Sequence, residues 1–295
     1  MGKTLFDKIW DSHVITDLGN GFVLLHIDRL LLHDLSGARA LRDVTEKGYA
    51  PAQPRLIYAT PDHAISTMPG RTEETFPPGA PLLKGLRENT RKFGIHLFDI
   101  GKDGNGIVHI VGPEQGLTLP GTTLVCGDSH TCTHGGMGSL AFGIGSSELE
   151  HVLATQTMVQ RKPKRLRVLF EGKVPEGVTA KDMILHLIGD LGTAAGTGHA
   201  VEYAGSAVRG LTVEGRLTLC NLSIEMGART GMVAPDDATY EYLAGRDFSP
   251  KGAMWDRAVA HWRTLASEPD PDFDREHTID MARVAPQVTW GTSPE

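Results

Sequence analysis

VCGDSHTCTHGGMG, residues 125–138, opens as an apolar run, turns polar at Asp128, Ser129 and His130, and ends in glycines. A run that closes on ionisable side chains and a glycine-rich turn is how a strand of an α/β sheet delivers chemistry to its carboxyl-end loop. The glycines that follow, through HGGMGSLAFGIG, let backbone approach backbone or ligand closely. The H-x3-H spacing of His130 and His134, with Cys126 and Cys132 six residues apart, suggests zinc. That reading fails, because there is no C-x2-C partner and four ligands crowded along one strand and turn cannot all reach a tetrahedral ion. Cys126 is expected to end a buried strand and Cys132 to fill a tight loop. GIGSSE nearby lacks the third glycine of a dinucleotide-binding turn, and no strand of a βαβ unit leads into it.

Outward from this segment, short β-branched and apolar runs bounded by Gly or Pro predict strands at FVLLHI (22–27), RLIYAT (55–60), HLFDI (96–100), IVHIV (107–111), TTLVC (122–126) and RLRVLF (165–170). Helical patterns fall between them. TLFDKIW carries Thr4 and Asp7 as a capping box; SSELEHVLATQTMV and TAKDMILHLIGDLG open on Ser146 and Thr179 as caps; DRAVAHWRTLASE (256–268) is amphipathic. The reading is α/β. QRKPKRLR (160–167), basic and broken by proline, is the clearest composition shift and sets a boundary between units 1–163 and 164–295. EPDPDFDREH, acidic and proline-rich, reads as a surface loop.

Composition excludes several classes. With 295 residues, 40% of them hydrophobic, the chain has enough apolar material for one large or two medium cores. A net charge of -7 with mixed signs offers no face for nucleic acid, and no run approaches the roughly 20 apolar residues of a membrane span. Three cysteines argue for a reducing compartment, with the cytoplasm as the expected location.

Ionisable pairs recur at the ends of the predicted strands: His26 and Asp28, Asp62 and His63, His109, Asp128 and His130. Carboxyl ends of strands converge on one crevice in an open α/β sheet, so these groups are expected to share a polar site. A metal-dependent hydrolase using His26, Asp28, His63, Asp128 and His130 as hard-metal ligands is one alternative.

The stretch GIVHIVGPEQGLTLPGTTLVCGDSHTCTHGGMGSLAFGIGSSELEHVLATQT resembles the signature region of the aconitase superfamily, and within it the large subunits of 3-isopropylmalate dehydratases. IDRLLLHD, ATPDH, TAKDMILHLIG, GTGHAVEYAG, EGRLTLCNLSIEMGARTGMVAPD and PQVTWGTSPE are similar to further blocks in the same order, so that the likeness runs over residues 3–295. The resemblance implies three-layer α/β/α domains, the first two of the family's three, and a hydro-lyase that moves water between adjacent carbons of a 2-hydroxy diacid. Homoaconitate- and methylmalate-type substrates stand as alternatives. It further implies that Asp62 and His63 help protonate the departing hydroxyl, that Asp128, Ser129 and His130 hold the oxygen bound to a [4Fe-4S] cluster or the substrate, that His109 pairs with Glu225, and that Asn221 faces the cluster. A small subunit is the implied partner. The cysteines that ligate the cluster in this family belong to blocks not found in this sequence, so Cys126, Cys132 and Cys220 are not expected to be ligands, and the chain by itself is expected to be cluster-free and inactive. Self-association through a face normally covered is also expected. One local departure is HDLSGARAL (33–41), with Ala38 and Arg39 where the family commonly has a proline-glutamine pair; Arg39 is expected either to bind a substrate carboxylate or to face solvent.

Overall fold

The computed structural model describes residues 2–294. Helix α1 (Leu5–His13) starts where Thr4 Oγ1 accepts the Asp7 N–H at 3.0 Å and the Asp7 carboxylate accepts the Thr4 N–H at 3.4 Å, a reciprocal cap that contributes about 1 kcal/mol. Leu5, Phe6, Ile9 and Trp10 form its buried face. Segments far along the chain hold it in place: Leu5 N–H donates to Ser267 Oγ at 2.8 Å, and Lys8 Nζ donates to the carbonyls of Thr264 at 2.8 Å and Ala266 at 2.7 Å. The hairpin β1 (Val14–Gly19) and β2 (Phe22–His26) follows.

Five parallel strands carry the first unit: β3 (Arg29–His33), β4 (Ile57–Thr60), β5 (His96–Leu97), β6 (Thr123–Cys126) and β7 (Leu140–Gly143), in the order β5-β4-β3-β6-β7. Strand side chains alternate between the faces, and the sequence uses both. Leu30, Leu32, Ile57, Ala59, Val125, Leu140 and Phe142 enter one buried cluster with α2 (Gly37–Glu46), α3 (Ala80–Phe93) and α5 (Ser146–Thr155). Leu31, Leu124, Cys126 and Ala141 face the other way, against Val108 and Val111 of α4 (Val108–Glu114). The result is three layers.

Strand β8 (Thr157–Arg161) pairs antiparallel with β2, and across Lys162–Pro163 the chain enters a second sheet at β9 (Lys164–Glu171). With β10 (His199–Ala204), β11 (Thr230–Val233) and β12 (Arg275–Asp280) this sheet is parallel, ordered β11-β10-β9-β12. Leu166, Val168 and Phe170 of β9 pack with α6 (Ala180–Leu191), α7 (Ser206–Arg209) and α8 (Val213–Asn221). The cores are not separate. Val213, Leu217 and Met232 join the first unit's cluster, as do Tyr240 and Leu243 of α9 (Asp237–Leu243), Trp262 of α10 (Ala253–Trp262) and Leu265.

The seam is tight where the 3-10 segment Ser129–Met137 meets α8 and β11. A Cβ on Gly135 would lie 1.7 Å from the Gly231 carbonyl oxygen, and one on Gly136 would lie 2.7 Å from the Leu217 nitrogen. Behind it, Arg216 is fully buried and forms a bidentate pair with Asp236 at 2.6 and 2.7 Å.

Several sequence expectations are corrected. Residues 107–111 are not a strand: Ile107 precedes helix α4, whose first N–H, at Val108, donates to Asp62 Oδ2 at 2.7 Å. The expected strand 96–100 contracts to His96–Leu97, and Pro54–Leu56 is a 3-10 turn ahead of β4. Helix α5 stops at Thr155 and is capped at Gly145, whose N–H donates to Glu148 Oε2 at 2.9 Å; Thr157 onward is β8. The amphipathic helix starts at Ala253 and stops at Trp262, and the end of the acidic loop becomes strand β12.

Candidate active site

β3, β4 and β6 run in one direction, so their carboxyl ends bring His33 and Asp34, Asp62 and His63, and Asp128 to one edge. Asp34 is fully buried and organises the β4 loop: Oδ1 accepts the N–H groups of Asp62 at 2.9 Å and His63 at 3.0 Å, and Oδ2 that of Ala64 at 2.6 Å. His63 is thereby placed between two carboxylates, with Nδ1 2.5 Å from Asp62 Oδ1 and Nε2 2.9 Å from Asp128 Oδ2. Hydrogen bonding to Asp128 and then Asp62 raises its pKa to about 10, so it is an imidazolium through the neutral range. Its side chain is 32% exposed. The buried His33 ring stacks on it at 3.9 Å; burial and the neighbouring cation push the His33 pKa down.

Asp128 is the hub. Oδ1 accepts from His109 Nε2 at 2.9 Å and from the His130 N–H at 2.7 Å. Burial opposes its charge, but the bonds from His109 and His63 hold its pKa well below the usual carboxylate range. Behind His109 lies His134, fully buried, with Nε2 3.1 Å from His109 Nδ1 and Nδ1 2.7 Å from Thr118 Oγ1. Burial holds His134 neutral. The assignment that gives each proton a partner runs from the Thr118 hydroxyl to His134, from His134 to His109, and from His109 to Asp128. A Cβ at position 112 of α4 would lie 2.6 Å from His134 Cε1, so the relay requires Gly112.

The second sheet's unit contributes across the seam. His130 Nε2 lies 3.0 Å from Glu225 Oε1, in the 3-10 turn after α8, with both side chains partly open to solvent. Ser129 Oγ is 3.2 Å from His130 Nδ1. Asn221 donates through Nδ2 to Thr133 Oγ1 at 2.8 Å. His109 takes Asp128 and His134 as its partners, and Glu225 takes His130, so the expected His109–Glu225 pair is replaced by two separate contacts.

Two expected site residues lie apart from this network. Asp28 precedes β3, at the amino end of the sheet, where its carboxylate accepts the Thr123 N–H at 3.0 Å and pairs with His13 at 2.7 Å and His26 at 3.4 Å. The strand ending at His26 belongs to the antiparallel sheet and therefore ends away from the crevice, which also breaks up the hard-metal set of His26, Asp28, His63, Asp128 and His130. Arg39, on α2, is largely exposed and reaches Asp43 Oδ2 at 3.4 Å. Sequence reasoning missed Asp34 and the relay role of His134. Asp34 had a legible signal, since RLLLHD ends on ionisable groups just as VCGDSH does.

The donor atoms of His33, Asp34, Asp62 and His63 lie within 4.8 Å of one another, the one such group among the described residues. Both Asp34 oxygens already accept backbone N–H groups, and Asp62 accepts from Val108 and His63, so the group reads as a hydrogen-bonded scaffold. The thiols do not fit an iron–sulfur cluster. Cys126 is buried in the face packed on α4, Cys220 in the second core, and Cys132 points its Sγ at the Asn221 carbonyl at 3.4 Å. Burial raises the pKa of Cys126 and Cys220 far above the usual thiol range and pushes Cys132 up to about 12, against the thiolate a cluster needs. Asp128 and Ser129 open onto a cavity of about 1150 Å³ at the seam.

A parallel α/β scaffold whose strand ends converge on linked imidazoles and carboxylates, completed from a second sheet, is a site for moving protons, and the chain belongs to the aconitase family (aconitate hydratase), whose model matches residues 7–295. Among curated proteins, the chain is 60% identical over 294 residues, its whole length, to 3-isopropylmalate dehydratase large subunit 1 of Bradyrhizobium diazoefficiens (strain USDA 110); it spans 61% of that relative's length. Among the described residues, no helix is long and apolar enough to cross a membrane.

Proposed function

We propose that this chain provides the catalytic large-subunit part of a hydro-lyase that interconverts 2-isopropylmalate and 3-isopropylmalate by dehydration and rehydration, in the cytoplasm and with a small subunit as partner. The observation that carries the reading is the 60% identity to a dehydratase large subunit over the whole chain. Dehydration removes a weakly acidic C–H proton and expels hydroxide, so it needs a proton acceptor, a proton donor and a field that orients the reacting oxygen. His63, charged up to about pH 10 and fixed by Asp62 and Asp128, supports the donor role at the leaving hydroxyl. Asp128, anionic and held by His109 and the His130 amide, supports orientation of that hydroxyl and of Ser129 and His130 beside it. The His130–Glu225 pair offers a neighbouring acceptor. The [4Fe-4S] cluster of the complete enzyme is, in this proposal, anchored by cysteines other than Cys126, Cys132 and Cys220, with Asn221 facing it.

The test is hydration of isopropylmaleate by the complete enzyme assembled with its small subunit, followed by loss of the alkene absorbance. His63→Asn and Asp128→Asn are each expected to lower kcat about 10²–10⁴-fold. Turnover of citraconate or a homoaconitate precursor in preference to isopropylmaleate would replace the substrate assignment, and full activity in both variants would remove the residue roles.

A further inference from the structure

The cavity beside Asp128 and Ser129 contains a cation that the proton chemistry leaves unused. Arg229 stands immediately before β11, half-buried, with its guanidinium 4.4 Å from the Phe142 ring centroid. Its acceptors are both neutral: the Gly143 carbonyl at 3.2 Å and Gln160 Oε1 at 3.0 Å. Burial pushes its pKa down. Among the described residues it makes no ion pair. The acid that it feels is Glu148, whose carboxylate is committed to the Gly145 N–H at 2.9 Å and to Gln160 Nε2 at 3.4 Å. A guanidinium has five N–H donors, two are used here, and no Arg229 nitrogen is buried without a partner, so the rest are accessible from the cavity.

Other cations line the same wall. Arg161 and Lys164 also lack an ion pair among the described residues, whereas Lys162 is occupied by Asp7 at 2.8 Å and Asp11 at 3.1 Å. Position relative to the site follows from Gly143. The peptide to which Arg229 donates packs directly on the Asp128–Ser129 backbone, since a Cβ on Gly143 would lie 2.4 Å from the Asp128 carbonyl oxygen. A charge held half-buried, unpaired and one residue's width from the hub of the proton network is costly unless an anion completes it.

We propose that Arg229 is a substrate-binding residue that takes one carboxylate of a small diacid in a forked, two-N–H grip, with Arg161 and Lys164 drawing the dianion toward the cavity. This rests on the dehydratase reading for the identity of the ligand but not for the binding itself.

Titration calorimetry of the 295-residue chain with maleate is the direct test. The wild type binds, acetate binds far more weakly, and Arg229→Gln weakens maleate binding about 10–100-fold, with Arg229→Lys between. Circular dichroism melting checks that each variant folds. Should both variants fail to fold, phenylglyoxal labelling of the wild type at Arg229, located by mass spectrometry, is expected to slow severalfold with maleate. In the complete enzyme Arg229→Lys raises KM at least tenfold while kcat falls little. Maleate binding that is absent from the wild type, or unchanged in Arg229→Gln, overturns the proposal, as does protection of Arg229 by the small subunit but not by maleate. A complex that fails to hydrate isopropylmaleate while Arg229 still controls maleate affinity would sink the dehydratase reading alone.

Discussion

Replacing Gly135 with alanine tests whether the site depends on close contact between its two halves. The backbone at Gly135 is not in the left-handed region, so any cost is one of space. The added Cβ would lie 1.7 Å from the Gly231 carbonyl oxygen and 2.9 Å from its carbon. Reaching even 3.0 Å requires the two backbones to part by about 1.3 Å, and no flexible side-chain end is available to give way. Overpacking a dense interior typically costs 1–3 kcal/mol, and a backbone-on-backbone clash belongs at or above the upper end, about 3 kcal/mol. At roughly 2–4 °C per kcal/mol for a chain of this size, Tm should fall by about 6–12 °C. The same parting would stretch the 3.0 Å contact between His130 and Glu225, because one lies in the Ser129–Met137 segment and the other in the turn after α8. Thermal melting by circular dichroism reads the first effect. Gly189→Ala is the control, an exposed glycine in α6 with nothing within 4 Å of a Cβ, and it should stabilise by about 0.5–1 kcal/mol. Gly135→Ala melting at the wild-type temperature would refute the close-contact argument.

Removing one partner of the buried Arg216–Asp236 pair, as in Asp236→Ala, should cost about 3–5 kcal/mol by urea denaturation, because it leaves the fully buried guanidinium without its anion. His63 has a folded pKa raised above its unfolded value, so its contribution to stability is complete below about pH 6.5 and is lost as pH rises toward about 10; imidazole NMR should show it protonated past pH 8, and titration near 6.5 would contradict the two-carboxylate geometry. Thr179→Ala removes the hydroxyl that accepts the Asp182 N–H at 3.4 Å and donates to its carboxylate at 2.6 Å, and should cost about 1 kcal/mol in the same denaturation assay. Cys126, Cys132 and Cys220 should be inert to a disulfide reagent in the native chain and react together on unfolding; rapid native labelling of any one would show that burial does not hold it as a thiol.

What the sequence made legible was local. The Thr4 and Thr179 caps, the alternating RLRVLF strand and the strand ending in GDSH depend on neighbours within a few positions, and each appears where the pattern places it. The change of sheet after QRKPK was readable for the same reason, since a proline between charges resists a continuous strand. The IVHIV run was not readable: five apolar residues suit a buried strand or a helix, and the cap that settles the matter is the carboxylate of Asp62, 46 residues earlier. Asp28 misled because a strand's end identifies a crevice only once its sheet is known, and β2 belongs to the antiparallel one. His134 was weighed as a zinc ligand from spacing alone; its partners, His109 and Thr118, come together only when α4 lies against the Ser129–Met137 segment.

Helix α1 has its partners at the far end of the chain, and that arrangement imposes an order on biosynthesis. Its anchors at Thr264, Ala266 and Ser267 leave the ribosome some 255 residues after the helix itself, a delay of roughly 10–50 s at ordinary elongation rates. Throughout that interval the face formed by Leu5, Phe6, Ile9 and Trp10 has no completed surface to cover it. The first helix made is thus among the last to dock, and the nascent chain carries a greasy, unburied leading segment that a chaperone must shield or a crowded polysome can capture. Slowing translation should lengthen that exposure. A circular permutant that starts after α1 and rejoins the helix behind residue 268 would synthesise it next to its anchors and shorten the vulnerable interval.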